Sequence, residues 1–108
     1  MMAAWSLWEK SHWRHSLFFA HLALEKLLKA HFTQKRKEVP PRIHNLVRLA
    51  DSTPLELVPE QAQFLREFSV YQLEGRYPGS VPMALDKETT RKELIRAQEI
   101  LEWLIRKL

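Results

Sequence analysis

Residues 11–32, SHWRHSLFFAHLALEKLLKAHF, form the stretch that most constrains the fold of this chain. The stretch has no proline or glycine, and its second half is rich in Leu, Ala, Lys and Glu, a composition that favours a helix. One stripe of that helix is apolar and consists of Trp13, Leu17, Ala20, Leu24, Leu27 and Leu28. Phe18 and Leu22 fall on nearly the opposite side. A helix with two apolar sides lies centrally in a bundle or contacts a second subunit.

The composition limits the possible classes of protein. The chain has 108 residues, which predicts one domain over residues 1–108, and its two glycines argue against an all-β fold with many tight turns. The absence of cysteine excludes disulfides, thiolate-ligated zinc and thiol catalysis, and is typical of a reducing, cytoplasmic compartment. No apolar run is long enough to span a membrane, and residues 1–10 lack the features of a secretory signal. A net charge of +4 is compatible with a polyanionic partner.

The first predicted helix begins in the N-terminal segment. Residues 1–10, MMAAWSLWEK, are interpreted as the first turns of the same long helix, in which Trp5 and Trp8 need cover from the bundle or from a neighbouring subunit. The helix is expected to end near Gln34, because basic residues crowd the following positions and two consecutive prolines cannot continue a helix.

A short second helix is predicted from about Ile43 to Asp51. Its core positions are Leu46, Leu49 and Ala50, at i, i+3 and i+4. Pro59 should open the third helix, where its missing N–H leaves no bond unmade, and the apolar pattern continues through Gly75. The third helix has an aromatic stripe of Phe64, Phe68 and Tyr71.

The last predicted helix has two candidate N-caps, Asp86 and Thr90. Its predicted core stripe consists of Leu94, Ala97, Leu101, Leu104, Ile105 and Leu108. Ile100 and Trp103 fall on the other side and suggest a second contact surface. The predicted fold is therefore all-α, an antiparallel four-helix bundle of up-and-down type in which one helix is short.

Three segments give the chain a family resemblance. They are ALEKLLKA at residues 23–30, HNLVRL at residues 44–49, and the stretch from Tyr71 to Pro78 that contains Arg76-Tyr77. In this order and with these spacings, the chain resembles a HEPN domain, a small helical domain associated with nucleotide and RNA chemistry. The resemblance covers nearly the whole chain.

The resemblance implies several possible functions. HEPN domains are helical bundles that usually pair into dimers, and many accompany a minimal nucleotidyltransferase. Others are metal-independent ribonucleases, including toxins of toxin–antitoxin pairs, with an arginine followed a few residues later by a histidine. Arg76 matches that arginine, but Val81, Pro82 and Met83 stand where the histidine belongs. None of these three side chains can transfer a proton, so the sequence argues against ribonuclease activity.

The candidate ligand-binding residues are Arg76, Tyr77, Tyr71, His44 and Lys29. Arginine suits bidentate recognition of phosphate, and tyrosine stacks on a base. Structural roles compete with this interpretation: Arg76 could pair with Glu25 or Glu74, His44 could cap its helix, and Lys29 could pair with Glu25.

The remaining histidines suggest no site of their own. Arg14 and His21 have the spacing of the ribonuclease motif but lie on the first helix, and are interpreted as polar residues bordering a buried surface. His12, His15 and His31 lack the spacing of metal ligands, so neither a metal nor a cofactor is predicted.

Two functional hypotheses follow. The first is a binding and assembly module, a homodimer or larger oligomer that binds a nucleotide or RNA, or partners a nucleotidyltransferase, without catalysis of its own. The second is a ribonuclease or toxin that uses Arg76 with a histidine from elsewhere, such as His44. The missing histidine favours the first hypothesis.

Overall fold

The computed structural model describes residues 1–37, 39, 45–69, 71 and 86–108. Its helices are α1 (Met2–Glu9), α2 (Trp13–Arg36), α3 (Leu46–Asp51), α4 (Pro59–Phe68) and α5 (Lys87–Lys107). The predicted all-α bundle is confirmed, and the described ranges contain no strand. The predicted start of the second helix at Ile43 and the continuation of the third through Gly75 lie outside the described residues.

The prediction that residues 1–10 continue into the first long helix is wrong. Ser11 has a left-handed backbone with φ 66°, and it separates α1 from α2. The N–H of Ser11 donates to the Trp8 carbonyl at 3.0 Å, and that of His12 to the Leu7 carbonyl at 2.9 Å. These two bonds form a Schellman motif with serine where glycine is usual. Because neither glycine nor proline marks this helix end, the local sequence did not reveal it.

The break lets α1 fold back along α2. The hydroxyl of Ser16 donates to the carbonyl of Ala4 at 2.8 Å, and both residues are buried. The two predicted tryptophans then reach α5, since the indole N–H of Trp5 donates to Gln98 Oε1 at 2.5 Å and that of Trp8 to the Lys87 carbonyl at 3.0 Å. Trp5 and Trp8 are therefore packed against residues of the same chain.

The long helices α2 and α5 run in the same direction. His31 bonds to the Leu104 carbonyl at 2.8 Å, and one turn later Gln34 bonds to the Leu108 carbonyl at 3.4 Å. In contrast, α1 runs antiparallel to both, as the contacts of Trp5 and Trp8 show. The C-terminal turns of α2 and α5 consequently lie at one end of the bundle.

The first residues of α4 and α5 were largely predicted from the sequence. Asp86 is confirmed as the N-cap of α5, because its carboxylate accepts the Thr89 N–H at 2.7 Å and the hydrogen bonds from Thr89 lower the pKa of Asp86. The second candidate, Thr90, is wrong, since it lies inside the helix and is fully buried. Pro59 opens α4 as predicted.

The buried side chains form one core between the helices. Its apolar members are Ala4, Leu17, Ala20, Leu24, Leu28, Leu46, Leu49, Ala50, Phe64, Leu65, Phe68, Leu94, Ala97, Ile100 and Leu104. The predicted stripes of α2 and α3 lie largely within this set.

The predicted stripe of α5 needs correction. Ile100 is buried, although the sequence suggested that it lies on a second surface, whereas Ile105 and Leu108 are 53% and 48% exposed. Ile100 and Phe64 line one cavity between α5 and α4, so contact with α4 widens the buried face of α5 toward Ile100. Ile105 and Leu108 belong to the final turn and end of the helix.

Candidate functional site

Two of the five predicted ligand-binding residues, Lys29 and Tyr71, belong to the described part of the chain. Lys29 is half-buried on α2, and Tyr71 is half-buried just beyond α4. The other three, His44, Arg76 and Tyr77, lie outside the described residues.

Lys29 is the outermost member of a polar row along α2. Its ammonium group lies 3.0 Å from Glu25 Oε2, which confirms the predicted i, i+4 pair, and Glu25 Oε1 lies 3.7 Å from His21 Nδ1. Glu25 is only 6% exposed and His21 is 1% exposed, so both lie deeper than their expected polar and bordering positions. The row therefore runs from the bundle interior to the surface, where Lys29 is 23% exposed.

Aromatic rings extend this row from α2 to α4. The His21 imidazole stacks on Phe68, with ring centroids 6.4 Å apart and planes inclined by 12°. Phe68 in turn meets the Tyr71 ring edge-on at 5.1 Å. We define His21, Glu25, Lys29, Phe68 and Tyr71 as the α2–α4 cluster. It links the two described members of the predicted site through consecutive contacts.

The surroundings keep the Tyr71 phenol protonated. Burial raises the pKa of Tyr71, and the neighbouring carboxylates of Glu93 and Glu67 raise it further. Burial also raises the pKa of Glu93, although the nearby Arg96 opposes that change. At neutral pH, Tyr71 therefore presents a hydroxyl donor together with a flat ring.

Hydrophobic packing does not account for the polar row. A carboxylate loses its hydration when it is buried, and a nearby cation often fails to compensate for that loss. Buried carboxylates held between an imidazole and an ammonium occur both in structural ion-pair networks and in functional sites. The cluster thus combines a partly exposed cation, a phenol and a buried polar network.

The remaining described histidines lie elsewhere. His31 is buried and bonds to a carbonyl of α5, while His12 and His15 are exposed at the start of α2 with their rings 6.2 Å apart. The described ranges hold no group of three or more His, Cys, Asp or Glu residues arranged to bind a metal ion. No helix in the same ranges has the length and apolarity needed to cross a bilayer.

Comparison with protein families agrees with this architecture. The family model for the HEPN domain matches residues 1–108, the whole chain. The chain belongs to the HEPN family. HEPN domains are helical and often bind nucleotides or resemble ribonucleases. Comparisons with curated proteins and with solved structures gave no match.

Only part of the α2–α4 cluster could be predicted from the sequence. The spacing of Glu25 and Lys29 predicted their pairing, but it did not reveal that Glu25 is buried. His21 was missed as a member, although it stands four residues before Glu25 and eight before Lys29. Polar residues repeated at i, i+4 and i+8 beside an apolar stripe are the signal that could have identified it.

Proposed function

We propose that this HEPN domain is a non-catalytic binding module that holds a nucleotide at the α2–α4 cluster and assembles with a second copy of itself. The observation that carries the proposal is the buried row of His21, Glu25 and Lys29, which ends in a partly exposed ammonium group. Such a row fixes the position of Lys29, whose partly exposed ammonium group keeps N–H donors for an anion besides its bond to Glu25.

The described residues supply two of the interactions that a nucleotide needs. The Lys29 ammonium can pair with a phosphate oxygen, and Tyr71 offers a ring face for stacking and a hydroxyl for hydrogen bonding. The sequence-based proposal adds Arg76 for phosphate, Tyr77 for stacking and His44 for a further hydrogen bond. The same chemistry would serve for a terminal nucleotide of RNA.

The alternative is a ribonuclease or toxin, and the histidines argue against it. General acid–base cleavage near neutral pH needs a group that titrates there and reaches the scissile phosphate. No histidine follows Arg76 at the family's spacing. Within the described ranges, His21 is buried in the core, and the exposed His12 and His15 lie about four helical turns before Lys29. The alternative would need His44 or a histidine from a second copy.

Purified protein incubated with a mixed RNA pool should therefore show negligible cleavage without added metal. Arg76→Ala should leave that background unchanged, because the acid–base partner of this arginine is missing. Gel electrophoresis over a time course measures the cleavage, and a mock purification from cells without the gene serves as the control. Robust metal-independent cleavage that disappears in Arg76→Ala would establish the ribonuclease alternative.

The proposed assembly surface lies where α1 packs on α2. On α2, Phe19 is 39% exposed and Leu22 is half-buried, and on α1, Met2 is 88% exposed. A shallow depression of about 240 Å³ is lined by Phe19, Leu22 and residues of α1. HEPN domains often oligomerise, and an apolar patch of this kind can meet its own copy across a two-fold axis.

A minimal nucleotidyltransferase is a second candidate partner for this surface. The second apolar side predicted for α2 contains Phe18 and Leu22. Both side chains are only half-buried in the single chain, so this side can pack against a second copy or against a nucleotidyltransferase. Ile100, which the sequence placed on a second contact surface of α5, belongs to the core and is not available to a partner.

A further inference from the structure

A cavity of about 610 Å³ opens at the end of the bundle where α2 and α5 both terminate. It lies against the connection between α3 and α4, and shares no residue with the α2–α4 cluster. The polar and aromatic side chains that concern its chemistry are His31, Gln34, Lys35, Gln61, Trp103 and Lys107. Its volume falls in the range of small-molecule sites, which is about 300–1,000 Å³.

His31 gives the cavity a fixed polar group. The ring is 4% exposed, and its Nε2 lies 2.8 Å from the Leu104 carbonyl oxygen. Since a carbonyl can only accept, Nε2 donates to it, and Nδ1 is the second polar atom of the ring. The described part of the chain provides no hydrogen-bond partner for Nδ1. The imidazole is thus held in one orientation with Nδ1 available for a hydrogen bond to a ligand.

Trp103 gives the cavity a planar wall. It is half-buried, and the Lys107 ammonium lies 5.9 Å from its ring centroid. Leu55 and Val58 add apolar surface from the connection before α4. A flat ring that enters the cavity can stack on the indole with its edge near a cation.

Two amide side chains complement one another. Gln61 Oε1 accepts the Val58 N–H at 3.1 Å, so its NH₂ group remains to donate. The NH₂ of Gln34 lies 3.4 Å from the Leu108 carbonyl, so its oxygen remains to accept. A donor and an acceptor from neighbouring elements match the polar edge of a heteroaromatic ring.

The charge at this end favours an anion. Each helix C-terminus carries about half a negative charge, and Glu56 adds one more. The basic residues of the last turns outweigh them: Lys35, Arg36, Lys37, Arg106 and Lys107. Two of these, Lys35 and Lys107, line the cavity itself.

We infer that the cavity between the C-terminal turns of α2 and α5 binds a planar heteroaromatic anion of about mononucleotide size. The ring stacks on Trp103, its polar edge contacts the two amides and His31, and its anionic group pairs with Lys35 and Lys107. A nucleoside monophosphate and a heteroaromatic carboxylate share this chemistry. The inference concerns a second site and does not depend on the proposed function.

Two-dimensional ¹H–¹⁵N NMR of the full chain tests the inference through the tryptophan indole signals, with Trp103→Phe assigning the Trp103 signal. Adenosine monophosphate, indole-3-carboxylate and inorganic phosphate are the three probes. One or both aromatic anions should shift the Trp103 signal and leave those of Trp5 and Trp8 in place. The probe that binds shows whether the ligand is a nucleoside monophosphate or a heteroaromatic carboxylate. Inorganic phosphate alone should not shift the signal.

The variant Lys35→Gln/Lys107→Gln should weaken that binding about tenfold, because it removes two cation–anion contacts. Lys92→Gln, a change at an exposed lysine near the start of α5, is the matched control and should bind normally. No Trp103 shift with either aromatic anion would overturn the inference, as would equal binding by the double variant. If adenosine monophosphate binds without shifting Trp103 and Lys29→Gln abolishes that binding, the proposed function stands and this inference fails.

Discussion

Phe68→Ala should lower the free energy of unfolding by about 3–5 kcal/mol, the usual range for a buried phenylalanine. Phe68 is fully buried and contacts three rings, since it stacks on His21, lies 4.9 Å from Phe64 and meets Tyr71 edge-on. Domains of this size have a total stability of about 5–15 kcal/mol, so the variant should keep only part of its stability. Urea unfolding followed by circular dichroism measures the change.

Ile105→Ala is the matched control for this experiment. Ile105 is apolar and 53% exposed, so its truncation should change the free energy of unfolding by about 0.5 kcal/mol or less. A loss below about 1 kcal/mol in Phe68→Ala would contradict the account, because the α2–α4 cluster would then not be packed as described.

The wild-type chain should have a solution mass at least twice the 12.9 kDa of the single chain, and Phe19→Glu should return it to the monomer. A charge placed in an apolar contact loses its hydration without a partner, which opposes association strongly. Phe19 is the best position for this change, because its exposure lets the isolated chain tolerate glutamate. Light scattering coupled to size exclusion at micromolar concentration gives the mass.

Ile105→Glu introduces the same charge at an exposed apolar position on α5 and should leave the oligomer intact. If the wild-type protein has the mass of a single chain, the proposed assembly surface does not join two copies. Dissociation by both variants would place the contact elsewhere or make it nonspecific.

The fold class could be predicted because it depends on local signals. The apolar stripe of α2, the N-cap Asp86 and Pro59 at the start of α4 each act within one or two helical turns. The break at Ser11 could not be predicted, because serine rarely adopts the left-handed conformation and the packing of α1 on α2 offsets its cost. Tertiary contacts decided this boundary.

The direction and rotation of the helices also depend on distant contacts. The parallel arrangement of α2 and α5 rests on bonds such as that from His31 to the Leu104 carbonyl, which no local pattern encodes. Ile100 and Ile105 lie on different sides of α5, and the contact with α4 buries Ile100, which the local pattern had placed outside the core. Residues from facing helices therefore set the buried face of α5.

In the candidate site, too, contacts within one helix could be predicted from the sequence and contacts between helices could not. The spacing of Glu25 and Lys29 was sufficient to predict their ion pair, since both lie on one helix. The burial of Glu25 and the stacking of His21 on Phe68 involve a second helix and became visible only in the structure. The roles of His44, Arg76 and Tyr77 remain predictions from the sequence and the family resemblance.

Nucleotide titration by calorimetry, with melting temperatures measured in parallel, tests the central claim most directly. Wild-type protein is compared with Lys29→Gln, with Arg76→Ala and with Lys92→Gln, an exposed control on α5. The account predicts that Lys29→Gln and Arg76→Ala each weaken binding about tenfold or more, because each loses a charged contact to phosphate. Lys92→Gln should bind like the wild type. A large fall in melting temperature with unchanged affinity in Lys29→Gln and Arg76→Ala would contradict the claim and make both residues structural.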